Sequence, residues 1–85
     1  MAGYRVDITR AAEKDLADLT RRDHRRVVAR IRALGRDPRP HGSEKLSGEE
    51  KYRIRQGDYR VVYGIDDDAE VVTVVRIGHR RDIYR

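Results

Sequence analysis

Three arginines flank a Gly57-Asp58 pair: Arg53 and Arg55 precede it, and Arg60 follows it. Glycine in the first central position is typical of a type II′ hairpin turn, because φ is positive there. Such a turn sets Arg55 opposite Arg60, and alternation along the strands brings all three arginines to one face. Opposed like charges destabilise a sheet, so this arrangement indicates an anion-binding surface. A solvated basic face is the alternative.

The chain ends in a second group of reactive side chains, which includes His79, Arg80, Arg81 and Tyr84. An imidazole titrates near neutrality and suits proton transfer, whereas a phenol needs neighbouring cations to lower its pKa. If Ile83 and Tyr84 pack on the sheet, His79, Arg80 and Tyr84 lie near the three arginines. A frayed basic terminus is the alternative.

Three segments in the first half must position these groups. Residues 4–8 alternate apolar and charged types, which predicts a strand with one buried face. Thr9 is suited to cap a first helix, and a second helix is predicted to begin around Asp23 and to end at Gly35. Apolar residues recur at helical spacing in both: Ala12, Leu16 and Leu19, then Val27, Ile31 and Leu34. Residues 35–50 are predicted to form a surface loop.

The second half is rich in β-forming residues. Residues 52–56, 59–65 and 70–77 are predicted to form three consecutive strands. The last strand is apolar on both faces, which favours a central position in the sheet. We therefore expect one α+β domain over residues 1–85, ordered βααβββ, with a small, mainly antiparallel sheet and a helical hairpin packed on one face.

Composition limits the partners of the domain. Lys and Arg total 20 against 15 Asp and Glu, a formal net charge of +5 that favours polyanionic partners such as nucleic acid. The chain has no Cys and no paired His spacing, and the acidic run at residues 66–68 is typical of a solvated turn, so we expect no metal and no cofactor. No apolar run precedes the first strand, so a cytoplasmic location without membrane contact is expected.

Three stretches in this order resemble the RelE branch of the RelE/ParE toxin superfamily. They are residues 44–48 (EKLSG), the hairpin YRIRQGDYRVVY and the closing IGHRRDIY, and the resemblance covers nearly the whole chain. It implies the toxin of a type II toxin-antitoxin system, a ribosome-dependent endoribonuclease that cleaves mRNA and inhibits translation. The implied partners are the ribosome, mRNA and an acidic, RelB-like antitoxin that neutralises the toxin.

The resemblance also implies roles for individual residues. Catalytic or RNA-contacting groups would be Arg53, Arg55, Arg60 and Arg80, with a functional tyrosine at Tyr84. Lys45 is a weaker candidate for an RNA contact, and surface solvation is its alternative. We also expect Arg81 to contact RNA. The implied chemistry needs no metal, because an RNA 2′-hydroxyl attacks the adjacent phosphate and guanidinium groups stabilise the developing charge. The resemblance favours Tyr84 as the general base and the titration argument favours His79, so both remain candidates.

Two other functions are compatible with the sequence. ParE-like members of the superfamily share the fold but bind DNA gyrase without cutting RNA, and a passive RNA-binding module would bind without cleavage. The group of His79, Arg80 and Tyr84 favours the ribonuclease, because an inhibitor that only binds protein has no chemical need for it.

Overall fold

The computed structural model describes residues 3–46 and 50–79. Its elements are β1 (Arg5–Ile8), α1 (Arg10–Ala17), α2 (Arg21–Ala33), β2 (Glu44–Lys45), β3 (Lys51–Gln56), β4 (Tyr59–Asp66) and β5 (Val71–His79). The strands form one sheet in the order β1-β5-β4-β3-β2, in which β1 is parallel to β5 and the other pairs are antiparallel. This confirms the predicted α+β fold and the central position of the last strand.

Both helices begin at a threonine cap. The Thr9 and Thr20 hydroxyls accept hydrogen bonds from Ala12 N and Asp23 N, each at 3.2 Å. The cap at Thr9 is confirmed, whereas α2 begins at Arg21, earlier than predicted, because Thr20 provides its cap. The first helix ends at Ala17, so Leu19 packs against the core from the connecting turn.

The core lies between the helices and one face of the sheet. Its buried members are Ala12, Leu16, Val27, Ile31, Leu34, Ile54, Val61, Tyr63, Val72, Val74 and Ile77. The predicted helical positions other than Leu19 are therefore buried, and the strands supply the opposing layer. In the part of the chain that the structure describes, no helix is long and apolar enough to cross a membrane.

The β3–β4 hairpin has the predicted register. Arg55 pairs with Arg60, and the pairing continues to Tyr52 and Tyr63. Gly57 has a φ of 61°, whereas the second turn residue, Asp58, is not in the positive-φ region. A positive φ at the first central residue alone is the signature of a type II′ turn, as predicted.

A β-bulge interrupts the pairing of β4 with β5. Val62 pairs with Arg76 and Tyr63 pairs with Val74, so Val75 is the extra residue. The bulge shifts the alternation of side chains by one position. Ile77 therefore joins Val74 in the buried core although three positions separate them.

Helix α1 stabilises the edge of β5 beyond the end of β1. The Thr9 hydroxyl donates to Val75 O at 3.1 Å. The Oδ2 atom of Asp15 accepts from Ile77 N at 2.8 Å and from Arg76 Nε at 2.9 Å. These bonds satisfy backbone groups that no neighbouring strand reaches, so α1 holds the bulge and the end of β5 in place.

Two features differ from the sequence-based expectation. The predicted loop over residues 35–50 contains the short strand β2, which pairs with β3 through Glu44 opposite Arg53 and Lys45 opposite Tyr52. A strand of this length has no periodicity of its own and forms because β3 offers an open edge. In addition, β5 extends to His79, which pairs with Tyr59.

Candidate functional site: an arginine-rich sheet face

Arg53, Arg55 and Arg60 lie on the side of the sheet that faces away from the helices, as predicted; we call this side the arginine face. Arg55 and Arg60 are directly opposed, and Gly78 of β5 is the next residue across the sheet. Gly78 contributes no side chain to this row. The register therefore collects several guanidinium groups on one surface.

Arg60 is unusual among these arginines because it is buried, with 4% of its surface exposed. A charged group rarely lies at such depth unless other groups stabilise it. Burial also weakens the screening by water, so a guanidinium in this position interacts strongly with an anion. The sequence predicts the face on which Arg60 lies but gives no sign of its burial.

Arg53 forms an ion pair with Glu44 across the β2–β3 pairing. Arg53 Nη2 lies 3.1 Å from Glu44 Oε1, and the exposed side-chain fractions are 18% for Arg53 and 64% for Glu44. The pair fixes one guanidinium on the arginine face. Sequence reasoning did not predict it, because Glu44 lies in a segment without recognisable periodicity.

A network of polar contacts holds the α2–β2 connection against the sheet. Arg39 donates two hydrogen bonds to Asp67 in the β4–β5 turn, at 3.2 and 2.8 Å, and Tyr4 donates to the same carboxylate at 2.7 Å. The hydrogen bonds from Arg39 and Tyr4 lower the pKa of Asp67 to about 2. Arg39 also donates to the Tyr52 hydroxyl at 3.1 Å. The loop that leads to β2 is thus tied to the β4–β5 turn and to the start of β3.

Tyr63 anchors the same loop from inside the core. Its hydroxyl donates to Pro38 O at 2.7 Å, and its ring stacks on Tyr52 with the centroids 5.9 Å apart. Burial raises the pKa of Tyr63 to about 12. The neutral phenol is therefore the form that carries this hydrogen bond.

His79 does not lie on the arginine face, contrary to the expectation from the sequence. Its ring packs edge-on against Tyr59, with the centroids 5.8 Å apart, beside Asp23 and Arg26 of α2. The bulge at Val75 causes the difference, because it shifts the alternation by one position and turns His79 toward the helices. Burial, followed by the nearby carboxylate of Asp23, raises the pKa of Tyr59.

The remaining candidates are distributed as follows. Lys45 is paired in register with Tyr52, on the opposite side of the sheet from Arg53, and its Nζ lies 3.7 Å from Glu50 Oε1. Arg80, Arg81 and Tyr84 lie outside the described residues. Within residues 3–46 and 50–79, no group of three or more His, Asp or Glu side chains could hold a metal ion. The guanidinium groups of the arginine face are suited to binding an oxyanion.

Two helices on one face of a five-stranded mixed sheet, with arginines on the opposite face, define a small α+β toxin fold. The model of the family "ParE toxin of type II toxin-antitoxin system, parDE" matches residues 6–84. The chain belongs to this family of toxins, and the resemblance to the RelE/ParE superfamily is confirmed.

Individual relatives carry RelE-type names. Toxin RelG of Mycobacterium tuberculosis is 37% identical over 86 residues, which cover 96% of this chain and 97% of that protein. A chain in the crystal structure of the M. tuberculosis RelBE2 toxin-antitoxin complex is 34% identical, with a TM-score of 0.83 and coverage of 96% of this chain and 97% of that one. The isolated E. coli RelE toxin is 27% identical, with a TM-score of 0.79 and coverage of 95% and 90%.

Proposed function

We propose that this toxin is a ribosome-dependent endoribonuclease that cleaves mRNA and thereby inhibits translation. The observation that carries the proposal is the arginine face, where a buried guanidinium, Arg60, lies opposite Arg55 and beside Arg53. A sheet that retains opposed like charges has a stability cost, which an anionic substrate would offset. The RelE-type names of the relatives at 37% and 34% identity favour the same function.

The proposed reaction is a transesterification within the RNA strand. The 2′-oxygen forms a bond to the adjacent phosphorus while the bond from phosphorus to the 5′-oxygen of the next nucleotide breaks. The 2′-hydroxyl loses its proton to a general base, and the leaving 5′-oxygen gains a proton. The products are a 2′,3′-cyclic phosphate and a free 5′-hydroxyl. DNA lacks the nucleophile and is not a substrate.

The arginines would act on the charge that develops during this reaction. Negative charge accumulates on the phosphoryl oxygens, and a fixed donor aimed at them contributes on the order of 3 kcal/mol. Arg60 is best suited to this role because its burial limits both screening and movement. Arg53 and Arg55 would bind the same phosphate or its neighbour, and arginine stays protonated throughout the useful pH range.

Proton transfer is assigned to the closing segment. The position of His79 beside Tyr59, on the helix-facing side, supports Tyr84 over His79 as the general base. Arg80 would then act near the leaving oxygen, as the resemblance implies, and Arg81 would contact RNA. Lys45 would contact RNA only at the edge of the sheet, since its register places it on the other side from Arg53.

The proposed regulatory partner is an acidic, RelB-like antitoxin in the cytoplasm. The M. tuberculosis RelBE2 structure is a toxin-antitoxin complex with a chain of similar fold. An antitoxin that covers the arginine face would neutralise the charges on which cleavage depends. When the toxin is co-expressed with the product of the neighbouring gene, the two proteins should purify as a tight complex. The cells should then grow normally, whereas expression of the toxin alone should slow growth.

The main alternative is gyrase inhibition, which the description of the matching family as ParE toxin favours. The two functions are separated by incubating the purified toxin with programmed ribosomes and, in parallel, with DNA gyrase and supercoiled plasmid. We expect new mRNA ends with a 5′-hydroxyl at the codon in the ribosomal A site. Intact mRNA together with accumulated gyrase-cleaved DNA would establish the alternative.

A further inference from the structure

Helix α2 carries a second basic surface that the arginine face does not include. Its sequence, RRDHRRVVARIRA, contains six arginines and one aspartate. The helix buries Val27 and Ile31 against the core, on the side of the sheet opposite to the arginine face. The exposed arginines of α2 therefore point away from the proposed site of cleavage. We call this surface the α2 basic face; it consists of Arg21, Arg22, Arg25, Arg26 and Arg32.

The spacing of these arginines is unfavourable for the isolated protein. Arg21 and Arg25, and likewise Arg22 and Arg26, are four positions apart, so each pair lies about one turn apart on the same side of the helix. Like charges at this spacing repel one another. Among the residues that the structure describes, none of these arginines forms an ion pair or a hydrogen bond. In the described part of the chain, no ion pair offsets this repulsion.

The arginines line a groove on each flank of the helix. One groove, of about 370 Å³, is lined by Arg21, His24, Arg25, Val28, Ala29 and Arg32. The other, of about 340 Å³, lies between α2 and the tip of the hairpin and includes Arg22 and Arg26. The first groove has three arginines and no carboxylate in its lining, whereas the second also contains Asp23 and Asp58. The first groove is therefore the better fit for an extended anion.

We propose that the α2 basic face binds the phosphate backbone of ribosomal RNA while the arginine face engages mRNA. Arg21, Arg25 and Arg32 follow one line on the helix, which matches a partner with regularly repeated negative charge. Phosphate contacts of this kind position a protein without reading sequence. The inference rests on the proposed ribosome-dependent function and explains how binding is separated from chemistry.

The composition of the face favours RNA over an acidic protein segment. The centres of protein interfaces are rich in aromatic and apolar residues and depleted in charge. The groove beside Arg21 contains no aromatic residue, and its apolar lining consists of Val28 and Ala29. An antitoxin helix would find little apolar surface there, whereas a phosphate backbone requires only the guanidinium groups.

The test compares two double variants of the full-length toxin. Arg21→Gln/Arg25→Gln removes two charges from the α2 basic face. Arg10→Gln/Lys14→Gln removes two exposed charges with the same four-residue spacing from α1. Binding is measured to ribosomes whose mRNA carries 2′-deoxy sugars at the A-site codon, which prevents cleavage. Circular dichroism establishes that both variants are folded.

We expect the α2 variant to bind ribosomes about tenfold more weakly, with a slope of log affinity against log salt that is smaller by about 1.5, the value for two lost phosphate contacts. The α1 variant should bind nearly as the wild type does. On ribosomes with ordinary mRNA, saturating concentrations of the α2 variant should cleave at the wild-type single-turnover rate.

Three outcomes would overturn the inference. In the first, both variants bind ribosomes as tightly as the wild type does. In the second, both variants lose the same amount of ribosome affinity. In the third, the α2 variant binds ribosomes normally but binds the antitoxin more weakly, which would assign the face to the antitoxin. Failure of the proposed function would be distinguishable from these outcomes, because the wild-type toxin itself would then leave ribosome-bound mRNA intact.

Discussion

Two arginines two positions apart on β3 should respond to neutralisation with opposite changes in stability. Arg55 is directly opposed by Arg60, whereas Arg53 is directly opposed by Glu44 and lies 3.1 Å from it. Arg55→Gln removes a cross-strand repulsion, and Arg53→Gln removes a cross-strand attraction. Cross-strand charge pairs change stability by about 0.2–1 kcal/mol. We therefore expect Arg55→Gln to stabilise the toxin and Arg53→Gln to destabilise it.

The magnitude is measurable in a domain of this size. A change of about 0.5 kcal/mol corresponds to a shift in Tm of roughly 2–4 °C. Both variants should lose cleavage activity, because each removes a guanidinium from the arginine face. Thermal unfolding followed by circular dichroism, at low and high salt, gives the stability, and the ribosome assay gives the activity. The gain in Arg55→Gln should shrink at high salt, because salt screens the repulsion.

A decrease in Tm for Arg55→Gln similar to that for Arg53→Gln would contradict this reasoning, since the opposed arginines would then have no stability cost. A gain in Tm that is identical at low and high salt would also contradict it, because the gain would not be electrostatic. An Arg55→Gln variant with both higher Tm and full activity would remove Arg55 from the proposed site.

Two further predictions concern the contacts that position the site. The pKa of Asp67 is lowered from 3.8 to about 2, so its contribution to stability should be present above about pH 4 and be lost as the pH falls toward about 2; Asp67→Asn should show a weaker loss over this range in acid unfolding. Asp15→Ala leaves Ile77 N without its acceptor and should lower the free energy of unfolding in urea by about 1–3 kcal/mol. Asp18→Ala, an exposed control on the same turn, should change it by less than about 0.5 kcal/mol.

The parts of the fold that depend on local sequence were predictable. The Gly57-Asp58 turn fixed the hairpin register because glycine at the first turn position selects one turn type. The apolar run of β5 indicated a central strand, and Thr9 indicated a helix start. Each of these signals lies within a few residues of the feature that it predicts.

The remaining features depend on contacts between distant segments. The bulge at Val75 is supported by Thr9 and Asp15 of another element, so the orientation of His79 could not be read from β5 alone. Strand β2 exists because β3 has an open edge, and its Glu44 then meets Arg53. The sequence thus predicted which residues share the arginine face but neither the burial of Arg60 nor the ion pair of Arg53.

The measurement that tests the central claim most directly is the single-turnover cleavage rate of ribosome-bound mRNA by the wild type, Arg60→Lys and Arg60→Ala. The proposed role of Arg60 predicts a rate lower by about a hundredfold or more for Arg60→Ala, the usual scale for loss of a transition-state donor. Arg60→Lys should recover only part of the rate, because an ammonium lacks the planar fork of a guanidinium. The wild-type products should carry a 2′,3′-cyclic phosphate and a 5′-hydroxyl. A folded Arg60→Ala toxin that cleaves at the wild-type rate would contradict the assignment of the arginine face as the site of RNA cleavage.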